Sequence, residues 1–289
     1  MRVIAVLNQK GGSGKTTIAT HLTRAFQLDG SSVLLVDSDP QGSARDWAAV
    51  LDDNPVTVVG IDRPTIDRDL KAIGHKDIVV IDGAPQAADL AISAIKAASF
   101  ILIPVQPSPY DIWATADLVD LVKQRIEVTD GALQAAFVVS RAIKGTRIGA
   151  EISEALAGYG LPVLESRITQ RVSYPGTAAQ GTTILDSDPE SDGAKEIRAL
   201  MTEIKQKLFL SKGANEFMSE KLKGALSAGR PSARSSKATT LASLADKPAT
   251  VRVNFDLDRE QHMKLKLYAT KQGRSIKEVL SDFVAQLPD

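Results

Sequence analysis

The 289-residue sequence contains no cysteine. Without a thiolate the chain can hold no cysteine-ligated metal or iron–sulfur cluster and can use no cysteine nucleophile. It also lacks any run of about eighteen apolar residues, the length a membrane-spanning helix needs. The N-terminus enters a strand-like pattern at once, without the charged and then apolar segments of a secretion signal, so the expected location is cytoplasmic. The three histidines, His21, His75 and His262, have no partners at metal or relay spacing. Net charge is absent as well, with 35 Lys+Arg against 35 Asp+Glu, but the balance is uneven. Residues 1–211 hold 21 basic and 26 acidic side chains, and residues 212–289 hold 14 and 9. The basic C-terminal part suggests a nucleic-acid-facing appendage; a solvated tail without a partner is the alternative.

What is present is a succession of short apolar runs, VIAVL at 3–7, VLLV at 33–36, IVVI at 78–81, FILI at 100–103 and AAFVV at 135–139, separated by helix-length segments. Ile18, Leu22, Ala25 and Phe26 recur at helical spacing, as do Leu118, Leu121 and Val122. Such alternation predicts an α/β fold, a doubly wound and mostly parallel sheet with its ligand at the carboxyl ends of the strands, over residues 1–210. A last amphipathic helix at about 193–208 would close it.

Residues 211–249 are poor in large apolar side chains and read as a flexible basic linker. Within it, FMSEK resembles the start of a second reading frame joined to a first. From Thr250 a strand alternates Val251, Val253 and Phe255 with Arg252, Asn254 and Asp256. Asp258 with Gln261, and Ser275 with Glu278, have capping-box spacing on either side of Gly273, so two helices should follow. A strand and two helices in residues 250–289 are too small to bury a core alone, which predicts an intertwined dimer.

The chemistry begins at NQKGGSGKTT, residues 8–17. The usual phosphate-binding loop has a glycine five residues before Gly14; here that position is Gln9, and an additional cation, Lys10, follows it. Backbone N–H groups around Gly11, Gly12, Ser13 and Gly14 can converge on phosphate oxygens at the positive end of the following helix. Lys15 then reaches the β- and γ-phosphates, Thr16 offers a hydroxyl to Mg²⁺, and Thr17 completes the motif. VLLVDSDPQ ends one strand with Asp37 and Asp39, and IVVIDGAP ends another with Asp82, so three carboxylates can gather at the phosphates and metal.

These motifs resemble those of the ParA family of deviant-Walker ATPases over residues 1–208. The resemblance implies ATP and Mg²⁺ as cofactors, ATP hydrolysis, and an ATP-dependent homodimer in which Lys10 reaches the partner's phosphates. It further implies that Asp39 positions or activates the attacking water, that Thr16 and Asp37 serve the magnesium, and that Asp82 takes the Walker B role. PVQPSPYDIWA at 104–114 resembles the proline-rich stretch of the ParF branch, which puts Pro107 near the adenine and the dimer face. Cysteine-dependent relatives are excluded, and a MinD-like membrane helix at the end of the chain is not expected.

Residues 250–287 resemble ParG, a ribbon–helix–helix centromere-binding protein. On that resemblance Thr250, Arg252 and Asn254 read bases in the major groove of a specific centromere-like site, while Arg274 and Ser275 clamp a phosphate. Arg141, Lys144, Arg147, Arg167 and Arg171 are candidates for nonspecific DNA, and scattered surface cations account for them equally well. Arg230 and Arg234 are candidates for an arginine finger supplied by the linker. The expected function is ATP-dependent plasmid partition on the nucleoid. A nucleotide-switched repressor of its own operon is the alternative, and positioning of a protein cargo such as a microcompartment is disfavoured by the DNA-reading tail.

Overall fold

The computed structural model describes residues 1–223 except 86 and 144–147, together with positions 261, 268 and 272. In chain order the elements are β1 (Arg2–Val6), α1 (Lys15–Leu28), β2 (Val33–Asp37), α2 (Ser43–Ala49), β3 (Val58–Gly60), α3 (Ile66–Ala72), β4 (Ile78–Asp82), α4 (Ala88–Ala97), β5 (Phe100–Val105), α5 (Pro109–Trp113), α6 (Ala116–Val128), β6 (Gln134–Ala142), α7 (Ile148–Ala157), β7 (Val163–Thr169), α8 (Ser173–Ala178), α9 (Ile184–Ser187) and α10 (Asp192–Lys223). The seven strands form one sheet in the order β3-β2-β4-β1-β5-β6-β7. Every described pair is parallel.

Both faces of this sheet are covered, which is why its central strands read as unbroken apolar runs. Ile4, Val6, Ile78, Val80, Phe100, Leu102, Ala136 and Val138 face α1, α2, α8, α9 and α10. Their neighbours Val3, Ala5, Val79, Ile81, Ile101, Ile103, Ala135 and Phe137 face α3 to α7. The period of two along each strand thus divides one apolar run between two cores.

Two strands have no counterpart among the five expected runs. β3 is only three residues long, at the sheet edge. β7 is the other edge, and its sequence VLESRIT buries only Leu164 and Ile168. Among the described residues no further strand takes up its outer amides, and α10 substitutes for one. Glu203 accepts from Glu165 N–H and Ser166 N–H at 3.0 Å, and Glu196 from Thr169 N–H at 2.9 Å. The closing helix begins where expected but overruns Leu208, continuing to Lys223 through residues read as linker.

The chain divides into two units, Met1–Ser227 and Ala228–Asp289. In the second, Gln261 and Tyr268 are helical and Gln272 lies in a turn. The expected strand, the base-reading residues Thr250, Arg252 and Asn254, the phosphate clamp Arg274 and Ser275, and the linker arginines Arg230 and Arg234 lie outside the described residues.

His21, given no role from sequence, joins α1 to α9. Its Nδ1 donates to Thr17 O at 2.7 Å while Nε2 accepts from Ile184 N–H at 3.1 Å, an arrangement that requires the neutral ring. Burial lowers its pKa to about 4, against a smaller upward pull from the Thr17 hydrogen bond. A depressed folded-state pKa means that the stabilisation is complete above the ordinary value of about 6.5 and is lost as pH falls toward about 4. In urea unfolding the parent is expected to exceed His21→Gln by about 1–3 kcal/mol at neutral pH. That margin should shrink steadily as the pH is lowered into the range where His21 protonates, and a margin independent of pH would refute the neutral bridge.

Candidate functional site

Parallel register brings the site together. Val6 pairs with Asp82, and Asp37 pairs with the same Asp82, so the ends of β1, β2 and β4 lie at one level. The loop from Leu7 to Gly14 leaves β1 there and turns into α1 through Gly12 and Gly14, whose φ values of 76° and 90° are left-handed. Gly83 is constrained for another reason. A Cβ there would come within 2.5 Å of a Leu7 methyl and 2.8 Å of Val6 O, so β4 approaches the root of the loop as closely as glycine permits.

Side chains from β6 and from the residue just after β5 hold the loop by its carbonyls. Ser140 Oγ donates to Ser13 O at 2.8 Å, and Gln106 Nε2 donates to Gly12 O at 3.0 Å. Asn8 ties the loop's base, donating to Pro104 O at 2.7 Å and accepting from Lys10 N–H at 2.9 Å. The N–H groups of Gly11 to Gly14 donate to no protein acceptor among the described residues. Occupied carbonyls and free amides are the arrangement an anion requires.

Lys15 is buried, and its Nζ donates to Lys10 O at 3.0 Å. Burial lowers its pKa, while the nearby carboxylates of Asp82 and Asp39 pull it back up. Lys10 has its ammonium 2.8 Å from Asp111 Oδ2. Beside the loop, a cavity of about 200 Å³ between Leu7, Gln9, Ala84, Ala91 and Leu118 is mostly apolar and is lined by no cation.

The three acids have different surroundings. Asp37 is fully buried, its Oδ1 accepting from Asp39 N–H at 3.1 Å and its Oδ2 from Ala44 and Arg45 N–H at 3.1 and 3.0 Å. It therefore fixes the start of α2, and a direct metal bond from it competes with three hydrogen bonds. Asp39 is partly exposed, and its loop is held by Arg45 Nη2 donating to Asp39 O at 3.0 Å.

Asp82 is buried, and neither of its oxygens has a hydrogen-bond partner of ordinary geometry. Burial raises its pKa to about 7; the Thr16 hydroxyl beside it opposes the rise, Asp37 adds to it, and Lys15 lowers it. A buried carboxylate with two bare oxygens, next to Thr16 and the phosphate cradle, fits a hard divalent cation that keeps most of its other ligands as phosphate oxygens and water.

The structure thus gathers Lys10, Gly11 to Thr17, Asp37, Asp39 and Asp82 at one site. Pro107 lies in the loop after β5, next to Gln106. Among the DNA candidates Arg167 is exposed, near Ser153 Oγ at 3.4 Å. Arg171 is only 21% exposed in its side chain and is paired with Glu196. Lys144 and Arg147 lie outside the described residues. Sequence reasoning missed Asn8, Arg45, Gln106, Asp111 and Ser140; four of these act across 94 to 127 residues and carry no local signal.

The description "CobQ/CobB/MinD/ParA nucleotide binding domain" matches residues 4–184. The chain is 32% identical over 208 residues to the "Maintenance of carboxysome distribution protein A" of Halothiobacillus neapolitanus, covering 70% of this chain and 95% of that protein. It is 28% identical to the "Chromosome-partitioning ATPase Soj" of Thermus thermophilus, covering 71% and 95%. The solved septum site-determining protein MinD of Pyrococcus horikoshii, complexed with Mg-ADP, superposes with a TM-score of 0.58 at 19% identity, covering 72% of this chain and 98% of that one.

Asp82 gives a test of the metal site through stability. Its raised folded-state pKa means that the protonated form is favoured on folding, so stability is greatest at low pH and falls as pH rises from the ordinary 3.8 through about 7. Without nucleotide or metal, Asp82→Asn should be more stable than the parent above neutral pH, on the order of 2–4 kcal/mol, and equal to it in acid. Adding Mg-ATP should reverse the order, because only the parent gains the full ligand-linked stabilisation. A lower melting temperature for Asp82→Asn in chelator at alkaline pH would contradict this account.

Proposed function

The chain belongs to the CobQ/CobB/MinD/ParA nucleotide-binding family, and from that premise we propose that it is a DNA-partition ATPase carrying its motor and its centromere-binding unit in one polypeptide. It is an ATPase of this family, with Mg-ATP as its ligand. Hydrolysis controls homodimerisation and nonspecific binding to nucleoid DNA in the cytoplasm, while residues 250–289 bind a specific site.

The observation that carries this reading is the second lysine. Lys15 already lies on the cradle side of the loop, whereas Lys10 stands at its rim with 39% of its side chain exposed. A cation at the rim can serve the phosphates of a facing copy. Thr16 and Asp82 hold the magnesium, whose bound charge neutralises that of the phosphates. Asp37 sets the turn carrying Asp39, and Asp39 orients the attacking water. Pro107 borders the adenine. Arg167 contributes to nonspecific DNA, Arg171 less so because of its pairing with Glu196, and Arg230 or Arg234 supplies a stimulating charge.

One observation favours a second reading, the 32% identity to a carboxysome distribution protein over 70% of this chain. In that reading the same ATP-driven dimer positions a protein cargo rather than DNA. A nucleotide-switched repressor needs only the bound state and no turnover.

Two experiments decide among these. Lys10→Ala should bind ATP through the intact loop and Lys15 yet lose ATP-driven dimerisation and turnover, whereas Lys15→Ala should lose ATP affinity itself. Equal loss of affinity in the two variants would remove the trans role of Lys10.

The second experiment concerns DNA. Arg252→Ala should cost about 1–3 kcal/mol at the specific site found by footprinting and relax base preference there, because a bidentate base contact is lost. Arg167→Ala should weaken all DNA alike. If no sequence is protected with or without ATP, the cargo reading displaces the partition reading.

A further inference from the structure

Lys10 is engaged within its own subunit. Its partner Asp111 lies 101 positions away on α5, at 2.8 Å, in a cluster that brings the proline-rich stretch against the phosphate loop. The two ends of this ion pair differ in exposure, 39% for the lysine side chain and 6% for the aspartate. Asp111 Oδ1 is buried and has no hydrogen-bond partner, and among the described residues no other cation pairs with this carboxylate. Among the described residues its charge is answered by Lys10 alone.

Asp111 cannot follow Lys10 outward. Its N–H and that of Ile112 both donate to Ser108 O, at 3.0 and 3.1 Å, and the buried Thr115 hydroxyl donates to Ile112 O at 2.6 Å. Ile112 is itself in the core. When Lys10 swings to a facing subunit, Asp111 therefore remains behind as a buried carboxylate without its counter-ion, a state strongly disfavoured in a protein interior. Lys10 is free to leave only when the partner's phosphates offer more than Asp111 does.

We infer that Asp111 is a positioning residue that parks Lys10 in its own subunit and thereby sets the protein concentration at which two ATP-loaded subunits associate. The inference rests on the trans role proposed above for Lys10. It assigns the PSPYD segment a function in the nucleotide-free subunit, holding the rim cation away from a facing copy until ATP is bound in both.

The test uses the full chain with Asp111→Asn, which keeps the shape and removes the charge. In the nucleotide-free protein, acetylation of individual lysines read by mass spectrometry should show Lys10 reacting several-fold faster than in the parent, with Lys71 and Lys96 unchanged as internal references. In Mg-ATP, turnover per subunit across a dilution series should reach half its maximum at about tenfold lower protein concentration, equivalent to about 1.4 kcal/mol. Should Asp111→Asn melt below the assay temperature, Asp111→Ser, which is smaller, should give the same two shifts. An unchanged Lys10 acetylation rate, or a half-maximal concentration equal to or above the parent's, overturns the inference. Lys10→Ala separates the two levels. If it dimerises and turns over like the parent, the trans role fails whatever Asp111 does; if it is inactive while Asp111→Asn matches the parent, only the positioning role fails.

Discussion

The site depends on how the carbonyl groups of the phosphate loop are occupied. A loop of seven or eight residues at the end of a strand has as many acceptors as donors, and an anion requires the donors to face inward. Ser140 and Gln106 take the carbonyls of Ser13 and Gly12 from the β6 and β5 side, and Lys15 takes that of Lys10. The left-handed turns at Gly12 and Gly14 then direct the remaining amides to the cradle. The order of the sheet makes this possible, because β1 is flanked by β4 on one side and β5 on the other, with β6 one strand beyond. Strand order, and not the loop motif alone, supplies the groups that fix the loop.

The same order distributes the acids. Asp37 and Asp82 are register partners, yet one is engaged by three backbone N–H groups and the other by none. The difference follows from what comes next in the chain. The next helix begins six residues on in both cases, at Ser43 and at Ala88, but the first amides of α2 fold back over the Asp37 carboxylate, whereas after Asp82 the chain passes through Gly83, pressed against Leu7, and α4 sends no amide back. Two aspartates at equivalent strand ends thus become a helix anchor and an orphan charge suited to a metal.

Much of the architecture was legible in the sequence for physical reasons. Strands buried on both faces give apolar runs, and five such runs marked the five inner strands. β3 and β7 escaped because edge strands need little or one-sided apolar character, and β7 hides its unpaired amides with Glu196 and Glu203 of a helix some 30 residues away, about the length of a crossover unit. The loop, the three acids and Lys10 were legible because glycines and charges at fixed offsets report local geometry. Asp111, Gln106 and Ser140 were not, since their roles exist only once β5 and β6 lie next to the loop. His21 was passed over for want of a metal partner, although its function is to satisfy a backbone N–H at Ile184. Arg171 looked like a free cation by composition and proves to be paired with Glu196.

The charges at the site define an order of events. Without ligand, Lys15 is bonded to Lys10 O, Lys10 is paired with Asp111, and Asp37 is saturated. Asp82 is the acid at the site with nothing bound to its oxygens, and burial holds it partly protonated near neutral pH. A phosphate chain competes first for Lys15, whose bond to a neutral carbonyl is weaker than one to an anion. A divalent cation carried with the phosphates would be held by Asp82 beside Thr16 and would supply the charge that the buried carboxylate lacks. Lys10 is held more firmly than Lys15, because its existing partner is a full charge on a buried carboxylate and not a neutral carbonyl. The two lysines of the loop are thereby set apart by the different strengths of the bonds that each must break to reach a phosphate.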